Sequence, residues 1–201
     1  MNLVSRVKNM LTTPKTEWLV VASEEPDSGK IVMGYVLPLA LVGAVAAFIG
    51  YGLIGFSVLG VRFASTNWGL YHAVMTLIQL IISLYLTALI VDALAPSFKS
   101  EKNFGRSMQL VAYGATPSLV ASFFKILPML AGILGLAATV YAIYLWYIGL
   151  TPIKKTPDEQ RVGYLVVSIL VLIVVYIVLG MIMARILMNI FGLSLLGGFG
   201  M

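Results

Sequence analysis

Apolar residues fall in blocks too long for a soluble helix, and polar residues collect between the blocks. The first block, IVMGYVLPLALVGAVAAFIGYGLIGF, occupies 31–56, and others cover 68–95, 107–124, 126–150 and 162–188. Each approaches or exceeds the roughly 20 residues that cross hydrocarbon at 1.5 Å per residue. The pattern predicts an all-α integral membrane protein, a bundle of five transmembrane helices filling a membrane domain over 31–188. Blocks three and four form one apolar stretch broken only by Lys125. As a single helix, 107–150 would reach roughly 66 Å, twice the hydrocarbon thickness. It must fold back, and FFKILP at 123–128 supplies the turn, with Pro128 suited to the first turn of a new helix. A re-entrant hairpin is the alternative for this pair.

Residues 1–30 form a short amphipathic segment ahead of the membrane. Leu3, Val4, Val7, Met10 and Leu11 make an apolar face with Arg6 and Lys8 beside it, the pattern of an interfacial helix on anionic lipid. Thr13-Pro14 opens a second short helix, and SEEPDSG at 23–29 is a turn-rich link. Residues 189–201 are an apolar, glycine-rich tail expected to fray at the outer interface.

Composition supports the membrane reading. The chain is 60% hydrophobic and 10% charged, with a mean hydropathy of +1.00; soluble domains carry about 25% charged residues. The net charge of +5 forms no nucleic-acid-binding stripe, because the positives lie between the apolar blocks. Ten of the 13 Lys and Arg flank one side: Arg6, Lys8, Lys15, Lys30, Lys99, Lys102, Arg106, Lys154, Lys155 and Arg161. Arg62, Lys125 and Arg185 flank the other, so the N-terminus is expected in the cytoplasm and the C-terminus outside. No apolar h-region occupies the first 30 residues, so no cleaved signal peptide is expected. The absence of cysteine excludes disulfides, thiol catalysis and thiolate metal sites.

Several residue patterns invite functional readings. Gly50, Gly52 and Gly55 match G-x-G-x-x-G, but no strand precedes them and no acid occurs between Asp27 and Asp92, so a dinucleotide site is not expected. Ala40, Gly43, Ala44, Ala47 and Gly50 in block one, and Ala131, Gly135, Ala138 and Ala142 in block four, read as seams for close helix packing. In block two, His72, Thr76, Gln79, Ser83 and Thr87 fall within an arc of roughly 80°. Such an intramembrane polar stripe faces the bundle interior, serving interhelical hydrogen bonds or lining a narrow polar path. Asp92 lies beyond the hydrocarbon and reads as an interfacial acid facing Lys99 or Lys102. His72 reads as an interfacial aromatic, since a lone histidine without cysteine builds no conventional zinc site. No metal or cofactor site is expected. Catalytic signatures are also missing: no H-E-x-x-H, no G-x-S-x-G and no pair of intramembrane acids.

Block three carries YGATP, where Gly114 and Pro117 interrupt a helix. A break at membrane depth persists only if neighbours re-satisfy the backbone, so Tyr113, Gly114, Thr116 and Pro117 are expected as a buried bend against block two or four. Around this motif the chain resembles the Yip family, Rab-GTPase-interacting multispan membrane proteins with bacterial relatives. The resemblance rests on AFIG at 47–50, IGF at 54–56, VAYGATP at 111–117, ILPML at 126–130 and YAIYLWYIGLTP at 141–152. It implies a non-enzymatic multi-pass protein of the bacterial inner membrane with a cytoplasmic N-terminus. It further implies a scaffold or organiser of membrane proteins or lipids, through partner proteins or self-association. The eukaryotic members' DLYGP motif is missing here, so small GTPase binding is not carried over. The alternative function is lipid or small-solute movement along the block-two stripe.

Overall fold

The computed structural model describes residues 2–58 and 61–190. The chain begins with helix α1 (Leu3–Thr12), opened by Asn2, whose side chain accepts from the Val4 amide at 2.9 Å. Pro14 closes α1 and sits in the first turn of α2 (Pro14–Ser23), where its missing N–H costs nothing. The two helices fold into a hairpin. Contrary to the expectation of a helix lying on lipid, most of the apolar face of α1 turns into the protein, with Val4 left exposed. Met10, Trp18 and Val21 are wholly buried, and Leu3 and Val7 pack against the same core. Arg6 is buried with them because α2 supplies Glu17 at 2.8 Å, Glu24 joins the same guanidinium, and the Tyr113 ring lies 4.9 Å away. A buried guanidinium with two carboxylates does not require lipid phosphates.

Four helical runs are long and apolar enough to cross a membrane: Ser28–Ile54, Thr66–Phe98, Pro128–Lys154 and Asp158–Ile190. The first comprises α3 (Ser28–Ile31), a π segment at Val32–Val36, α4 (Leu37–Phe48) and a second π segment at Ile49–Ile54. Asp27 caps it by accepting from the Lys30 amide at 3.0 Å, and that bond lowers the Asp27 pKa. The first π segment lies just before Pro38, which donates no backbone hydrogen bond; the wider register accommodates the lost rung. The second ends when Gly55, at φ +72°, donates to the Gly50 carbonyl at 2.7 Å.

A β-hairpin absent from the sequence reading follows, with β1 (Phe56–Val58) antiparallel to β2 (Val61–Phe63) and Phe56 opposite Phe63. Helix α5 (Thr66–Leu94), capped by Ser65, continues into a 3-10 turn at Ala95–Phe98. Helices α8 (Pro128–Lys154) and α9 (Asp158–Ile190) form the last two long runs. The tail expected over 189–201 lies outside the described residues from 191 onward.

The segment expected as a span over 107–124 is not one helix. It is α6 (Phe104–Gly114), α7 (Thr116–Ala121) and a 3-10 turn at Ser122–Ile126. Pro117 removes the donor that the Tyr113 carbonyl would use, and the Thr116 hydroxyl donates to that carbonyl instead. The broken segment runs alongside the first span. Gly105 lies against Pro26 near one end, Gly43 faces Ser122, and Gly50 abuts the Lys125 backbone near the other. Packing is densest at the Pro26 end, where Trp18, Met108, Leu110, Leu145, Ile153 and Tyr164 are buried.

Candidate functional site: an intramembrane cavity

Helices α5, α7, α8 and α9 leave a cavity of about 720 Å³ between them. The small residues of α8 are the local cause. Ala131, Gly132, Gly135 and Ala142 face the space, and a Cβ added to Gly132 or Gly135 would meet nothing within 4 Å. This corrects the reading of the α8 stripe as a packing seam: only Ala138 is buried, and the rest leaves room. The block-one seam is filled from within the chain, Gly43 by Ser122 and Gly50 by the backbone at Lys125. Gln79, Gly132, Leu136 and Thr139 are exposed at the cavity rim, so it opens onto the outer surface of the bundle.

Four of the five stripe residues line this cavity: Thr76, Gln79, Ser83 and Thr87. Thr76 donates to the His72 carbonyl at 2.7 Å, leaving its oxygen free to accept. The Thr87 hydroxyl bonds Tyr176 of α9, whose phenol also donates to the Ser83 carbonyl at 3.2 Å. Interhelical bonding and cavity lining therefore occur together on one face. His72 belongs elsewhere. It stacks on Tyr51 with ring centroids 3.7 Å apart and packs against Trp68 and Tyr71.

The most unusual group on the wall is Lys125. Its ammonium donates to Thr76 Oγ1 at 2.9 Å. Among the described ion pairs none involves it. Sequence reasoning used Lys125 for topology and for the turn and missed it as a wall group. The signal was present, since it is the lone charge between residues 107 and 153. Tyr176 carried no comparable signal, because its neighbours on that face within the apolar block, Ile169, Leu172, Ile173, Leu179, Gly180 and Met183, are all apolar.

The YGATP bend packs against the first span and α8. Thr116, fully buried, meets the Tyr35 hydroxyl at 2.6 Å, and the Tyr35 and Tyr113 rings meet edge-on at 4.9 Å. Trp146 occupies the place of the side chain Gly114 lacks. At the opposite end from Lys125, Asp92 pairs with Lys154 at 3.0 Å; Lys99 pairs with Glu159 instead. Lys154 is completely buried, and its three donors reach Asp92, the Asn103 carbonyl and Ser107. The charge count takes Lys154 only as one of the positives flanking one side of the apolar blocks. Nearby, the hydrogen bond from Lys155 holds the Glu101 carboxyl below its ordinary pKa.

The Yip1 domain profile matches residues 8–198, taking in the bend and every wall of the cavity. The chain belongs to the Yip1 domain family. Relatives of the chain include inner membrane protein YohC from Escherichia coli strain K12 and from Escherichia coli O6:H1. Each is 23% identical over 177 residues, covering 84% of this chain and 91% of the relative. No solved structure matches it. Among the described residues, no group of three metal-ligating side chains comes together.

Proposed function

We propose that this member of the Yip1 domain family acts without catalysis, as a scaffold or organiser of membrane lipids or proteins in the bacterial inner membrane. The observation that carries this reading is the rim-open cavity, with hydroxyls and an amide on one wall and aliphatic side chains on the others. Sites that bind apolar ligands have this construction, apolar walls with a few placed polar groups. The chain is proposed to cross five times, the broken α6–α7 segment counting as the third crossing, with the N-terminus inside and the C-terminus outside. Irregular backbone at membrane depth is tolerated where protein encloses it, and the bend is enclosed by Tyr35 and Trp146.

A photo-crosslinking residue at Thr139, on the cavity rim, tests the reading in native membranes against one at Val178, on the exposed face of α9. Thr139 should yield discrete lipid or protein adducts, and Val178 only diffuse lipid labelling. Indistinguishable patterns would refute it. Passage of lipid or solute along the stripe is the second reading, favoured by Gln79 standing at the rim. Flux in protein-containing liposomes that falls in Gln79→Leu would establish passage, and flux equal to empty liposomes would remove it.

A further inference from the structure

We infer that the cavity selects an anionic lipid, seating its phosphate at the Lys125 ammonium and its hydrocarbon along the aliphatic wall. This deepens the organiser reading and rests on it. The argument starts from an imbalance of charge along the bundle. All eight acidic side chains lie in one set of places: between Glu17 and Asp27, at Asp92, at Glu101, and at Asp158–Glu159. These cluster at the end where Arg6, Lys154 and Lys155 find partners. Lys125 stands at the other end, bonded to Thr76, which lies 16 residues or about 24 Å of helix from Asp92. No acidic side chain of the chain reaches it.

Depth makes the imbalance expensive. Thr76 is ten residues along α5, about 15 Å below Thr66, so the ammonium is drawn inward rather than extended to the interface. An ammonium has three donors, and here one is accepted by a neutral hydroxyl. A cation at membrane depth is ordinarily paired, and its placement beside a cavity marks a site. A phosphate would provide charged acceptors, with the Gln79 amide on the same wall as a further donor; the Thr76 and Ser122 hydroxyls already donate to the His72 and Leu119 carbonyls. Below it, Leu80, Leu84, Leu119, Ile143 and Leu172 form a wall suited to an acyl chain. The open rim at Gly132 and Leu136 admits a lipid from the side.

The test uses the full chain in nanodiscs of equal phosphatidylcholine and phosphatidylglycerol, with retained lipids counted by native mass spectrometry after extraction. Phosphatidylglycerol should be retained in preference. Lys125→Gln should reduce that preference roughly tenfold, the scale of one charge-assisted hydrogen bond. Lys125→Arg should keep it, as should Lys99→Gln at the far end. Millimolar inorganic phosphate should leave the lipid in place. Equal preference in wild type and Lys125→Gln, both folded, would overturn the inference. So would displacement by inorganic phosphate, which would identify a soluble anion. Equal retention of both lipids would also overturn it while leaving the organiser reading standing; retention of neither would overturn it and remove the lipid half of that reading, leaving protein adducts at Thr139 to decide the other half. Should Lys125→Gln fail to fold, Leu136→Trp fills the rim with the lysine intact and must expel the bound lipid; undiminished retention in that variant refutes the site.

Discussion

Gly50 gives the sharpest test of how the broken segment is held. A methyl group there would overlap the Lys125 carbonyl oxygen and stand 2.9 Å from its carbonyl carbon and 3.1 Å from the Ile126 Cα. All three are backbone atoms of the 3-10 turn, so no rotamer change relieves the contact. Gly50→Ala must push that turn away from the first span. Overpacking of this kind costs about 1–3 kcal/mol, and a clash with backbone belongs near the upper figure. Replacing glycine by alanine in a helix returns roughly 1 kcal/mol, leaving a net loss of about 2 kcal/mol. The same substitution at Gly132 or Gly135 meets nothing within 4 Å, so there only the gain remains. The contrast is about 3 kcal/mol, or roughly 6–12 °C in melting temperature for a chain of this size. Thermal scanning of purified variants in mild detergent measures it. Gly50→Ala melting with or above Gly132→Ala would refute the close approach of the two backbones.

Two further expectations come from the other end of the bundle and from the charge pattern. Lys154→Met leaves the Asp92 carboxylate, which is 13% exposed, with Ser107 as its remaining side-chain partner. It should destabilise by about 3–5 kcal/mol, and adding Asp92→Leu should recover most of that; a double variant as unstable as the single one would refute the pairing. Reporter fusions after residue 60 and after Met201 should report outside, and those after Lys102 and Lys155 inside. A cytoplasmic C-terminus would overturn five crossings.

What the sequence determined by itself is what depends on local pattern and length. Block length alone separated the long apolar helices, because a helix rises by a constant amount and the bilayer has a constant thickness. The position of Pro117 located the break, because a residue without N–H removes one rung wherever it stands. Helical periodicity grouped Thr76, Gln79, Ser83 and Thr87 on one face, and that face lines the cavity. Periodicity does not say what stands opposite a face. The small residues of the first span and of α8 read alike in sequence, yet Gly43 and Gly50 receive the 3-10 turn while Gly132 and Gly135 border open space. Arg6 and Lys154 read as cytoplasmic surface charges and are buried, because Glu17 and Asp92 meet them only after the chain has folded. Lys125 reads as one more loop charge, and its meaning came from the 49 residues of chain that separate it from Thr76. Contacts between residues so distant in sequence are set by how helices pack, and a charge's role depends on whether that packing brings it a partner.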